Sequence, residues 1–122
     1  MTQPLVLICD DEQPLRELIR LCLGDAYRFV EAGTVADSID AVHAERPDLV
    51  LLDLMLPGGS GLDVLRAIRA EHALADTPVI VVSAWSDEAN RSAAGSAGAD
   101  GFLGKPFSPD HLAARVEEVL AP

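Results

Sequence analysis

The chain has 122 residues, a size that suits one domain with its own core, and 49% of them are hydrophobic against 24% charged. No apolar run approaches the roughly 18–20 residues of a membrane span, which excludes insertion, and a net charge of −11 excludes direct nucleic-acid binding by this segment, since that affinity begins with Lys and Arg neutralising phosphates. Met1-Thr2-Gln3-Pro4 leads into an apolar run without the basic region of a signal peptide, so the expected location is the cytoplasm.

In chain order, the first strand is expected at Leu5–Cys9. A helix follows whose apolar stripe is Leu15, Leu18, Ile19 and Cys22, closed by Gly24. The second strand is expected at Tyr27–Glu31. Its helix begins at Thr34, with Asp37 as a capping-box-like partner, and stops before Pro47. The third strand, Leu49–Asp53, leads to a helix capped by Ser60 that turns Leu62, Leu65, Ile68 and the stem of Arg69 inward. The fourth strand is Val79–Ser83. The helix after it, Asp87 to Ala97, is built from Asn, Ser, Ala and Gly and is the weakest of the five. A fifth strand at Gly101–Leu103 precedes a helix with Ser108 as N-cap and Pro109 at its first position. Five apolar runs alternating with five helical patterns predict a parallel sheet covered on both faces, in one domain spanning 1–122. Cys9 and Cys22 are expected to be buried reduced thiols, and His43, His72 and His111 to be surface residues without ligand spacing.

The functional crevice of such a sheet lies at the carboxyl ends of its strands. There the sequence places Asp10-Asp11-Glu12 after the first strand, Asp53 at the end of the third, Ser83 at the end of the fourth and Lys105-Pro106 after the fifth. Carboxylates gathered in one crevice repel one another unless a cation joins them, and Mg²⁺, with its preference for oxygen ligands and retained waters, suits the set. A carboxylate can attack phosphorus to form an acyl phosphate, whose equatorial oxygens then need stabilisers such as a metal ion, a hydroxyl and an ammonium. Lys105 is the only lysine in a chain whose other basic residues are all arginine, as expected of a site that needs a compact ammonium. Trp85, two residues past Ser83, either packs under a loop or walls this crevice. Pro57-Gly58-Gly59 shapes a loop and is no P-loop, since GxxxxGK[ST] is missing.

Asp10-Asp11, the run LLDLMLPGGSGLDVL with Asp53, Pro57 and Gly61, Ser83-Ala84, AGAD at 97–100 and Lys105-Pro106-Phe107 resemble, in this order and spacing, the receiver domains of two-component response regulators. The resemblance implies a flavodoxin-like (βα)5 fold, doubly wound, with a five-stranded parallel sheet in the order 2-1-3-4-5. It implies that Asp53 is the phosphoacceptor, that Asp10 or Asp11 joins Asp53 and the main-chain carbonyl of Met55 in binding Mg²⁺, and that Ser83 and Lys105 engage the phosphoryl group. Ser83 and Phe102 become the switch residues. Ser stands where Thr is more usual, and Phe where Tyr is often found. The implied partners are a sensor histidine kinase or histidine phosphotransfer protein, and an output partner or domain on the face of the fourth helix, fifth strand and fifth helix. A phosphorylation-dependent homodimer is among the implied states. The domain is expected to be a switch and no enzyme beyond its own phosphorylation and slow dephosphorylation. Two rivals share these residues: a degenerate receiver serving as a constitutive docking module, and an aspartyl-phosphate phosphotransferase or phosphatase.

Overall fold

The computed structural model describes residues 3–121. Strands β1 (Leu5–Cys9), β2 (Arg28–Ala32), β3 (Leu49–Leu52), β4 (Val79–Ser83) and β5 (Gly101–Gly104) alternate with helices α1 (Gln13–Leu23), α2 (Val35–Glu45), α3 (Gly61–Ala70), α4 (Glu88–Ser96) and α5 (Pro109–Leu120). The strands form one parallel sheet in the order β2-β1-β3-β4-β5, as expected. β1, β3 and β4 are buried along their whole length, so their continuous apolar runs have an apolar layer to meet on each side.

Side-chain alternation divides the core. Leu7, Cys9, Val50 and Leu52 pack with Val42 of α2 and with Val64, Leu65 and Ile68 of α3. Val6, Ile8, Leu51, Ile80 and Val82 point the other way, to Ile19 and Leu23 of α1 and Leu112 and Val116 of α5. α4 has one fully buried residue, Ala94, which meets Leu54 and Val81.

Helix ends follow the local chemistry. Gly24 stops α1 at φ 73°, and Arg46 closes α2 in the left-handed region at φ 46°, just before Pro47. Ser60 and Asp63 form a complete capping box on α3, whereas only the Thr34 half of the box expected on α2 is made. Ser108 caps α5 with Pro109 in its first turn.

Several expectations are corrected. β2 begins at Arg28 because Tyr27 ends a 3-10 turn over Gly24–Ala26. β3 ends at Leu52, one residue before Asp53, and β5 runs on to Gly104. Leu18 is 44% exposed and does not join the stripe of α1. At about 100° per residue, Ile19 and Leu23 turn the buried face away from it. Cys22 is only half-buried, whereas Cys9 is fully enclosed and its thiol pushed up to about 12 by burial. The three histidines are exposed as expected. His43 nevertheless bonds Ile39 O at 2.8 Å and the Glu71 carboxylate at 2.6 Å, which ties α2 to the end of α3.

Candidate functional site

Asp10, Asp53 and Lys105 each sit one step beyond a strand whose last bonds aim them. Asp53 donates its N–H to Cys9 O at 2.9 Å, extending the β1–β3 ladder by one residue. Its carboxylate is then held at both oxygens: Oδ1 accepts from Met55 N at 3.0 Å and Oδ2 from Lys105 Nζ at 2.8 Å. Asp10 donates its N–H to Ala32 O at 3.0 Å, accepts from Glu12 N on Oδ1 at 2.9 Å, and meets Lys105 Nζ on Oδ2 at 2.7 Å. Lys105 is aimed by its own N–H, which donates to Ser83 O at 3.0 Å. One ammonium, 14% exposed, therefore bridges two carboxylates that are each 4% exposed.

The turn after β3 is possible because α3 begins with Gly61. A Cβ there would lie 2.1 Å from Asp53 O and 2.8 Å from Leu54 Cα, so any side chain would force the helix off the backbone that presents Asp53.

Burial acts against the charge on Asp10 and raises its carboxyl above the ordinary range, although the Lys105 hydrogen bond and charge pull it down. Burial likewise opposes the charge on Lys105, but the hydrogen bonds it donates to Asp10 and Asp53 outweigh it and hold the ammonium above its usual value. The carboxylates of Asp10, Asp11 and Glu12 have oxygens within 4.8 Å of one another, the last two exposed to solvent. Four carboxylates and one ammonium make an all-oxygen, net-negative donor set open on the Asp11–Glu12 side. A hard divalent cation fits it; a thiolate- or imidazole-seeking metal does not.

The fold thus brings Asp10, Asp53 and Lys105 into direct contact, with Asp11 beside them. Met55 is joined to Asp53 through its N–H. Ser83 is fully buried at the end of β4, its Oγ accepting from Trp85 N at 3.2 Å, which leaves the hydroxyl proton free to donate. Phe102 stands apart from this group, half-buried on β5 against Leu54, Val81 and Ala94, with the Arg91 guanidinium 4.6 Å from its ring centre. Glu12 joins the acidic group although it was not among the expected ligands; its place in the acidic triplet was the signal. Trp85 and Met55 are both exposed, at 47% and 42%.

Residues 6–117 match the family model for the response regulator receiver domain. The chain belongs to the response regulator receiver family. It is similar to the phosphate regulon transcriptional regulatory protein PhoB of Pseudomonas aeruginosa, 39% identical over 98% of this chain and 53% of that protein. It is also similar to the KDP operon transcriptional regulatory protein KdpE of Escherichia coli, 43% identical over 94% of this chain and 50% of that one. The chain spans about half the length of these curated relatives. Among solved structures it resembles the beryllofluoride-activated DrrB receiver domain, with TM-score 0.89 and 29% identity over 99% of this chain and 100% of that one. The Francisella response regulator 1452 receiver domain gives TM-score 0.86 and 27% identity, covering 95% of each chain. Receiver domains of PhoB-like regulators are signalling switches and not turnover enzymes, and they generally use Mg²⁺ at an acidic pocket. Among the described residues no helix is long and apolar enough to cross a membrane.

Proposed function

We propose that this receiver is switched when Asp53 accepts a phosphoryl group from the phosphohistidine of a sensor histidine kinase or histidine phosphotransfer protein. The observation that carries the reading is the Lys105 ammonium, 2.7 Å from Asp10 and 2.8 Å from Asp53, with a fully buried serine hydroxyl on the neighbouring strand end. An Asp53 oxygen forms the new O–P bond as the P–N bond to the donor imidazole breaks, and the electron pair returns to that nitrogen. Lys105 exchanges its bond to Asp53 for one to a phosphoryl oxygen, and Ser83 donates its hydroxyl proton to another. Asp10, Asp11, Asp53 and the main-chain carbonyl of Met55 would hold Mg²⁺, whose charge neutralises the crowded carboxylates and incoming oxygens. Attack of water on the acyl phosphate later resets the site.

The output follows from the weakness of α4. Drawing Ser83 toward the phosphate opens space behind it, Phe102 turns inward, and α4 shifts between two arrangements. The face made by α4, β5 and α5 then binds an output partner or domain, or a second copy of this chain, with different affinity in the two states. Nucleic-acid contact belongs to such a partner, since this domain is strongly acidic.

The test is intact-mass measurement after incubation with Mg²⁺ and a small acyl-phosphate donor. One phosphoryl adduct is expected, lost in Asp53→Ala and without metal; an unchanged adduct in that variant refutes the assignment. Failure of the wild type to label would favour the constitutive docking module. Hydrogen exchange with a beryllofluoride mimic should in turn alter protection over 86–102, and a change confined to Asp10, Asp53 and Lys105 would refute the output surface.

A further inference from the structure

The acidic loop after β1 carries three of the four carboxylates of the site, yet its own side chains bond only to the loop and to Lys105. Its backbone is held from outside. The Asp10 N–H is fixed to Ala32 O of β2 at 3.0 Å. The Asp10 carbonyl accepts from Arg16 Nη1 at 2.6 Å, and Arg16 Nε is bonded at 2.8 Å to Glu31, also on β2. Glu31 uses its other oxygen on Arg20, at 2.7 Å. Burial opposes the charge of Glu31, but Arg20 and Arg16 outweigh it and hold the carboxyl below its ordinary range.

We infer that Arg16, held by Glu31, is a positioning residue that sets the orientation of the Asp10–Glu12 carboxylates and thereby the affinity of the site for Mg²⁺. The inference rests on the Mg²⁺ reading proposed above. The geometry supports it because both main-chain polar groups of Asp10 are tied to β2, one directly and one through Arg16, so the backbone from which the Asp10 carboxylate projects cannot turn without breaking a charge-assisted bond. A purely electrostatic role has the opposite sign: a cation near the acidic cluster repels Mg²⁺, so deleting it would tighten binding. Glu31, shared between Arg16 and Arg20, offsets only part of that charge, so the two roles oppose one another and the sign of the change in Mg²⁺ affinity separates them.

The experiment is the Mg²⁺ dependence of the thermal midpoint, from which Kd follows by linkage, measured on the full chain without any phosphodonor. Arg16→Ala should raise the Mg²⁺ Kd about fivefold. This is below the 10–100-fold typical of groups bonded to a ligand atom, because Arg16 holds the Asp10 main chain and not its carboxylate. Arg16→Lys keeps the charge but not the fork, and should recover only part of the loss. Glu31→Gln, which loosens Arg16 without touching the loop, should weaken Mg²⁺ in the same direction. A variant that lowers the midpoint in chelator yet keeps the wild-type Kd marks Arg16 as structural support alone and overturns the inference. Tighter Mg²⁺ binding in Arg16→Ala overturns it as well. If the wild type itself gains nothing from Mg²⁺, the metal reading fails and this inference falls with it.

Discussion

Lys105→Ala removes the one ammonium that Asp10 and Asp53 share. Each carboxylate loses a charge-assisted bond, of 2.7 and 2.8 Å, and at 4% exposure neither can replace it fully with water. Removing one partner of a buried pair costs about 3–5 kcal/mol, and a crevice open on one side belongs at the low end, about 3 kcal/mol without divalent ions. Asp10 is already raised by burial, with Lys105 acting against that rise, so the variant raises it further. A carboxyl whose folded pKa lies above its unfolded value is favoured when protonated. The loss should therefore be largest at neutral pH and shrink as pH falls through the folded pKa. A bound dication replaces the missing charge, and at a hundred times its Kd contributes about 2.7 kcal/mol. Urea unfolding in chelator and in saturating Mg²⁺ measures both effects. The expected result is a loss of about 3 kcal/mol in chelator, most of it recovered with Mg²⁺. A loss below about 1 kcal/mol in chelator, or a smaller Mg²⁺ gain than in the wild type, would refute the view that Lys105 holds two mutually repelling carboxylates together.

Three further outcomes are expected. Arg69→Ala should cost about 3 kcal/mol in the same assay, since its guanidinium donates to the carbonyls of Gly98, Ala75 and Thr77 and to Asp100, between 2.6 and 3.0 Å; a loss under about 1 kcal/mol would show water serving those acceptors equally well. The bond to Ile39 O and the Glu71 partner raise the imidazole of His43 above 6.5, so the pair stabilises fully below that value and its contribution disappears as pH rises through the folded pKa. Comparing wild type with Glu71→Gln across that range should show a difference that shrinks on the alkaline side; a constant difference would contradict it. Replacing Trp85 and Met55, both exposed beside the site, with small polar residues should speed loss of the acyl phosphate, measured as decay of the phosphorylated mass, and unchanged or slower decay would mark Trp85 as packing alone.

β1, β3 and β4 were legible because each is a continuous apolar run buried on both faces, whereas β2 and β5, half-buried edge strands, were misplaced, β2 shifted by one residue and β5 one residue short. Convergence of Asp10, Asp53 and Lys105 could be read because the carboxyl ends of parallel strands meet at one edge. What stayed hidden were bonds between side chains and distant main chain. Arg69 reads as an amphipathic stem on an inward face, and nothing local reveals that it reaches Gly98 O, 29 residues on. Glu31 offered a clue, an acid inside an apolar strand, but its partners Arg16 and Arg20 lie on α1 and become neighbours only once β1 and β2 pair. Leu18 was misplaced because an apolar residue at helical spacing is also compatible with the flank of the stripe; the deciding residue was Leu23, one turn beyond Ile19.

The ammonium of Lys105 meets carboxylates 95 and 52 residues earlier in the chain. During synthesis every acidic member of the cluster leaves the ribosome before the cation that balances them, and the cation is placed only when β5 has docked on β4. A chain halted, clipped or misfolded before that final strand still has Asp10 and Asp53 but no counter-charge beside them. On the function proposed above, competence to receive a phosphoryl group is in this way tied to completion of the whole domain.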